Sequence, residues 1–397
     1  MTKEELQHSN SHVFGNPDQQ TLDQYEDVLI RAERGALMAD AHLGYIMPIG
    51  GVMAYRNKVS PVGVGFDIGC GNMAVKLDQK AHDFDVSSAL DVIQDRIHFG
   101  LGGQNPEAPV DHELFDAPEW DALPSHVRGD LKKKAQEQLG TVGSGNHYVD
   151  ILQDEDSYIW IGVHFGSRGF GYKTAQGFIN LAQNKKWNGK FKQKEGLLDL
   201  DTPLGHDYFA AMNLAGRYAY TGREWVCYTL ADAFDSVILE EVHNNHNFAW
   251  KEEHDGEELV VVRKGATPAF PGQRGFVGGS MGDISVILEG IDSEESRQAL
   301  YSTIHGAGRV MSRTQAKGNY RGRDLSRSAI KPDMIYEQLQ ELGVELRGGG
   351  LDEAPQVYRQ LEDVLQNHKD TVRIVHRLYP LGVVMDGPEY FKPAKNS

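Results

Sequence analysis

Five short, glycine-bracketed blocks hold the residues of this chain best suited to chemistry. In Gly65-Phe66-Asp67-Ile68-Gly69-Cys70-Gly71 a carboxylate and a thiol stand three residues apart in a turn that can aim both at one point. Read alone, that block is a buried structural cysteine. Gly143-Ser144-Gly145-Asn146-His147-Tyr148-Val149-Asp150 offers an imidazole between an amide and a carboxylate. Its GxG is a weak phosphate signal outside a strand–turn–helix context. His164-Phe165-Gly166-Ser167-Arg168-Gly169 places a histidine, a hydroxyl and a guanidinium directly after an apolar run. His243-Asn244-Asn245-His246-Asn247 is predicted at the end of a long helix, and in His305-Gly306-Ala307-Gly308-Arg309 small residues would let a phosphate reach an imidazole.

Together the blocks supply hard oxygen, soft sulfur and intermediate nitrogen donors. That mixture suits Mn²⁺, Zn²⁺ or Fe²⁺ better than Mg²⁺ or Ca²⁺, which prefer oxygen alone. The wide spacing excludes a zinc-finger clip, whose ligands come in close pairs, and implies donors converging from several strands and loops. There is no Walker A sequence and no kinase signature, so any nucleotide chemistry must use another cradle.

The elements that must carry these blocks are mixed. Residues 36–76, dense in glycine and β-branched types, predict short strands and tight turns; Tyr158 to Val163 predicts a buried strand, and Leu259–Arg263 and Ile284–Leu288 two more. The four-residue spacing of Val226, Leu230, Phe234, Ile238 and Val242 predicts an amphipathic helix over 222–245. Helices are also expected at 333–342 and 353–367, a last apolar segment at 377–384, and loop insertions at 102–125 and 183–204. No repeat or flexible linker interrupts the chain, so the expectation is one mixed α/β domain over 1–397, with a divergent segment at 1–35 and a tail at 388–397.

The bulk numbers agree. The chain has 397 residues, 44 of them glycine, with 40% hydrophobic and 24% charged residues, as a soluble globular protein would. It contains no apolar run near the roughly 18–20 residues of a membrane span, and its start lacks a secretory signal. Only two cysteines, Cys70 and Cys227, argue against a disulfide framework and for a reducing, cytoplasmic setting. A net charge of −17 argues against coating nucleic acid through a broad basic surface, though not against a local groove that grips a strand end. Lys132, Lys133, Lys134 and the 184–194 run read as solvated surface.

The blocks resemble the RtcB family of RNA-splicing ligases. The resemblance runs through Asp40-Ala41-His42-Leu43-Gly44, VGFDIGCG (64–71), GTVGSGNH (140–147), HFGSRG (164–169), HNFAWKEEH (246–254), RKGAT (263–267), GSMG (279–282), HGAGRVMSR (305–313) and DEAPQVY (352–358), covering 36–386 in family order. It implies a single α/β domain with a β-rich core surrounded by helices. It further implies two Mn²⁺ ions, with Cys70, His147, His164, His246 and Asp67 matching the metal ligands and Cys70 shared. His305 matches a nucleophile that attacks the α-phosphate of GTP, after which GMP passes to an RNA 3′-phosphate and a 5′-hydroxyl seals the break. A 2′,3′-cyclic phosphate would first be opened. Guanylate contacts carry over to Asn146, Asp150, Asn247, Gly279, Ser280, Met281, Ser285 and the backbone of Gly306, Ala307 and Gly308. Arg168 and Arg309 are candidate phosphate or RNA anchors, with structural salt bridges as the alternative. Implied partners are RNA ends from tRNA halves or damaged RNA, and an archease-type activator.

Three departures stand out. Met385 occupies the place of a family lysine that reads guanine, unless Lys392 or Lys395 folds back; Asp150 replaces a glutamate; Gly278 replaces a common proline. They point to a divergent paralogue with altered nucleotide or end preference. Competing readings are a guanylyltransferase that caps 3′-phosphate ends without sealing, a metal-dependent cyclic phosphodiesterase that uses no GTP, and a non-catalytic RNA-end-binding protein.

Overall fold

The computed structural model describes residues 10–190, 196–318 and 328–388. Lys392, Lys395 and residues 191–194 of the basic run lie outside them.

A mixed α/β architecture is organised by two sheets. The smaller has five strands in the order Ser11–Val13, Arg34–His42, Ile49–Tyr55, Glu257–Lys264 and Asn247–His254. The larger runs Arg274–Val277, Ser285–Gly290, Val372–Met385, Tyr148–Gln153, Tyr158–Phe165, Gly71–Lys80 and Ile238–Asn245, with Glu345–Arg347 pairing in parallel beside Val372–Met385. Its other pairings are antiparallel. The YIWIGVHF strand is buried along nearly its whole length. That explains its continuous apolar run: both faces are covered, so no polar alternation is required.

The helix over Pro203–Ala233 packs against that sheet; its start is fixed by Pro203 and by the Thr202 hydroxyl, which accepts the Gly205 N–H at 3.2 Å. The predicted helix over 222–245 is therefore corrected. The helix stops at Ala233, Asp235 takes a φ of 51°, and Ile238–Asn245 is a strand. Two apolar residues that continued the four-residue spacing, Ile238 and Val242, belong instead to the alternation of a strand. The HNNHN block lies where that strand meets the next, not at a helix end.

The helix expected over 353–367 is also corrected. Pro355, which cannot donate an N–H, separates single 3₁₀ turns, and only Leu361–Leu365 is α-helical. The 102–125 loop is held down: Trp120 packs 4.9 Å from Phe170 and donates to the Leu114 carbonyl at 2.9 Å. Likewise 183–204 ends in helix from Pro203. Lys132 lies 4.0 Å from Asp116 and Lys133 3.9 Å from Glu137, as surface pairs. No helix among the described residues is long and apolar enough to cross a membrane.

Candidate metal centre and nucleophile

Register brings the donors together. Asn72 pairs with His164, His164 with Tyr148, and Gly71 with both Phe165 and Asn245. Cys70, His147, His164 and His246 thus sit at or beside the same ends of neighbouring strands. The Cys70 sulfur lies 3.2 Å from His164 Nε2 and 3.9 Å from His147 Nε2, and His147 Nε2 lies 3.1 Å from Asp67 Oδ2. Two triads result, Cys70–His164–His246 and Asp67–Cys70–His147, with the donor atoms of each within 4.8 Å of one another. Cys70 belongs to both.

Local chemistry prepares these donors. Gly166 is needed beside Asp67, because a Cβ there would collide with its carboxylate. His147 Nδ1 donates to the Val142 carbonyl at 2.9 Å, which turns Nε2 toward Asp67 and Cys70. The Arg168 guanidinium also approaches Nδ1, at 3.3 Å, but the nearer carbonyl can only accept and so fixes the tautomer. Burial, then neighbouring histidines, hold His164 and His246 well below the usual imidazole range, so both rings are neutral donors. Burial pushes the Cys70 thiol up, and nearby Asp67 adds to this. Burial would also raise Asp67, but His147 and then Arg168 outweigh it and keep the carboxylate ionised. His246 Nδ1 is buried without a hydrogen-bond partner. An orphaned imidazole nitrogen beside a thiol and a second neutral imidazole fits a transition-metal cation.

His305 faces this cluster, its ring centroid 5.0 Å from that of His246. Its Nδ1 lies 2.6 Å from Asp40 Oδ2, and the same oxygen accepts the backbone N–H groups of His305 and Gly306 at 3.1 and 3.3 Å. Asp40 is fully buried; burial would raise its carboxyl, but His305 outweighs that and holds it below the usual range. The ring is thereby oriented with Nδ1 protonated and Nε2 available.

Both features open onto one cavity of about 650 Å³. Asn146, Asp150, Asn247, Gly279, Ser280, Met281, Gly306, Ala307 and Gly308 all line it. Ser285 does not; buried behind the wall, its hydroxyl accepts the Gly279 N–H at 3.2 Å and shapes that loop. Asp150 keeps one oxygen unpartnered, and burial pushes its carboxyl well up. Met385 also faces the cavity, opposite Tyr148 in register. The Tyr148 hydroxyl fills the space a side chain at Gly278 would need, which accounts for glycine there.

The two arginines are committed elsewhere. Arg168 is off the cavity wall and donates to Thr141 Oγ1 at 3.2 Å and the Gly100 carbonyl at 3.5 Å. Arg309 lines the cavity, but its guanidinium is held by the Asp352 carbonyl at 2.7 Å, the Tyr358 hydroxyl at 2.9 Å and Glu353 at 3.4 Å. The Arg309 contacts include the ion pair of the salt-bridge alternative, whereas those of Arg168 are hydrogen bonds to neutral acceptors. Sequence reasoning assigned Asp40 no role, although it opens the first matched block; its partner lies 265 residues away.

Comparison with known proteins gives a consistent result. Residues 27–386 match the family model described as tRNA-splicing ligase RtcB. The RNA-splicing ligase RtcB of Escherichia coli strain K12 is 32% identical over 378 residues, spanning 86% of this chain and 88% of that protein. The tRNA-splicing ligase RtcB of Thermococcus kodakarensis is 29% identical over 427 residues, covering 87% and 86% of the two chains. That of Archaeoglobus fulgidus is 30% identical with the same coverage.

Proposed function

The chain belongs to the RtcB family, and from that premise we propose that it is a GTP- and Mn²⁺-dependent RNA ligase joining 3′-phosphate or 2′,3′-cyclic phosphate ends to 5′-hydroxyl ends. The observation that carries this reading is the pair of donor triads meeting at Cys70, with the His305 ring 5.0 Å from His246 in the same cavity. Asp67, Cys70 and His147 would hold one ion, and Cys70, His164 and His246 the other. When bound, such a pair supplies charge neutralisation and Lewis acidity beside a phosphate.

The remaining chemistry belongs to the chain. His305 Nε2 attacks the α-phosphorus of GTP; the P–N bond forms as the bond to the bridging oxygen breaks, and pyrophosphate leaves with that electron pair. Asp40 accepts the Nδ1–H throughout and offsets the positive charge that the ring acquires. GMP then passes from Nε2 to the RNA 3′-phosphate, freeing the imidazole. Attack by the 5′-hydroxyl oxygen forms the phosphodiester and expels GMP. A cyclic phosphate is first opened by water. Asn146, Asp150, Met281 and the 306–308 backbone line the space for the guanylate. The natural substrates on this reading are tRNA halves or damaged RNA, with an archease-type protein as candidate activator. Two buried free thiols, Cys70 and Cys227, support a reducing, cytoplasmic location.

The test is incubation with Mn²⁺ and each α-labelled nucleoside triphosphate in turn. A label that survives alkali, is lost in acid and disappears in His305→Ala is the expected result. Absence of any His305-dependent adduct would overturn the reading. Equal labelling by ATP and GTP would show that Met385 has loosened the base pocket.

A further inference from the structure

Two arginines among the described residues, Arg223 and Arg263, are fully buried, and they are treated differently. Arg263 forms a two-pronged pair with the Glu252 carboxylate at 2.6 and 3.0 Å. Arg223, deep in the Pro203–Ala233 helix, has no carboxylate among its hydrogen-bond acceptors. Its Nη1 donates to the Gly69 carbonyl at 2.8 Å and the Phe165 carbonyl at 2.6 Å; its Nη2 donates to Asn245 Oδ1 at 2.6 Å, and its Nε to His243 Nε2 at 2.8 Å. Three of these acceptors are chain neighbours of proposed donors: Gly69 precedes Cys70, Phe165 follows His164, and Asn245 precedes His246. All three donors form one triad.

We infer that Arg223 is the positioning residue of the Cys70–His164–His246 triad, clamping the three segments that carry it and placing a buried positive charge behind the cysteine donor. The inference rests on the metal reading above. Its physical logic has two parts. A planar guanidinium presents several N–H donors in a fixed fork, so one group can fix the separation of three backbone segments. A buried cation is costly unless compensated, and here three carbonyl oxygens, of Gly69, Phe165 and the Asn245 side chain, and the His243 ring nitrogen accept from it. The approach is prepared by small residues: the Gly69 turn rests against Gly216 and Ala219 of the same helix.

Lysine cannot substitute. It keeps the charge but concentrates its donors at one point, so it cannot span four acceptors. The test compares wild type, Arg223→Lys, Arg223→Met and Asn245→Ala. Each metal-free full-length protein is titrated with Co²⁺ while the thiolate-to-cobalt absorption band is followed, and its thermal unfolding is recorded without metal. Loss of an outer hydrogen bond around metal ligands weakens binding by roughly 10–100-fold. Both Arg223 variants are expected to weaken Co²⁺ affinity by that amount and to diminish the band, with no rescue by lysine. Asn245→Ala removes a single arm. Asn245 lines a second cavity of about 550 Å³, from which water can reach the freed N–H groups, so this variant is expected to fold. Its affinity should fall by about tenfold, the lower end of the range.

If the Arg223 variants fail to fold, Asn245→Ala decides alone. Wild-type affinity and band in every folded variant, with only the unfolding temperature lowered, would overturn the inference and leave the metal reading standing. Absence of Co²⁺ binding by wild type would overturn both.

Discussion

The two walls of the cavity are built on opposite principles. On the sheet side, buried polar atoms are left open: His246 Nδ1, Asp150 Oδ1 and the Tyr148 hydroxyl have no hydrogen-bond partner. On the facing wall, among the described residues of 309–317 and 352–358, the cations are already answered. Arg313 pairs with Asp352 at 2.9 Å and with Glu353, Lys317 pairs with Asp352 at 3.0 Å, and Arg309 meets Glu353 and Tyr358. An unsatisfied buried group costs about 1–3 kcal/mol, so the first wall is incomplete without a ligand while the second is close to complete as it stands. Strand ends, tied by ladder hydrogen bonds, can hold open donors in place; short helices and 3₁₀ turns rely on their own ion pairs.

Substitutions should therefore act on binding along one wall and on stability along the other. The largest effect is expected for Cys70→Ala, which deletes the donor common to both triads: bound Mn²⁺ and guanylate labelling should both fall below detection. Retained two-ion binding would break the comparison at its strongest point. Asp40→Asn should follow, slowing labelling by roughly 10²–10⁴-fold through loss of the ring's tautomer and charge support, with Co²⁺ affinity unchanged. A rapid-quench labelling time course checks it. Glu353→Gln, on the paired wall, should cost about 3 kcal/mol in urea unfolding because it breaks a buried ion pair. Labelling at saturating GTP should stay within about tenfold of wild type. A larger loss of labelling than of stability would mean that both walls serve the chemistry.

The smallest predicted effect concerns pH. His368, fully buried, accepts the Ala39 N–H at Nε2 (3.2 Å), next to Asp40, and faces the Thr371 hydroxyl at Nδ1 (3.3 Å). Burial pushes its ring down from 6.5 to about 4. The unfolded chain therefore binds a proton near pH 6.5 that the folded chain refuses until about pH 4. Stability falls as pH drops through that window and levels off beneath it. Between pH 6.5 and 5 the loss from this residue is on the order of 2 kcal/mol. His368→Gln should flatten that part of the profile, measured by urea midpoints; an unchanged slope would assign the acid sensitivity elsewhere.

How much of this was legible in the sequence varied with the physics involved. The YIWIGV strand was readable because burial on both faces leaves an uninterrupted apolar run. The donors were readable as residue types, since few structural roles need a thiol, a carboxylate and several imidazoles in glycine-rich turns. The 238–245 strand was misread because alternate apolar residues after Phe234 extended a helical spacing across a break set by backbone conformation at Asp235. Asp40 and Arg223 escaped because their significance lies in partners more than 150 residues away for Asp40 and, for the Gly69 contact, 154 residues away for Arg223. For Arg309 both an anchor and a salt bridge were open, because its carboxylate partner in DEAPQVY was not legible as one.

One turn has a consequence for the whole molecule. His246 is the single residue between Ile238–Asn245 in the larger sheet and Asn247–His254 in the smaller. An ion captured there would tie the turn that joins the sheets to the strand ends of the larger one, so mass action on the metal would become mass action on the fold. Free metal at a hundred times its dissociation constant would add about 2.7 kcal/mol per site, and a chelator would loosen the seam between the sheets first.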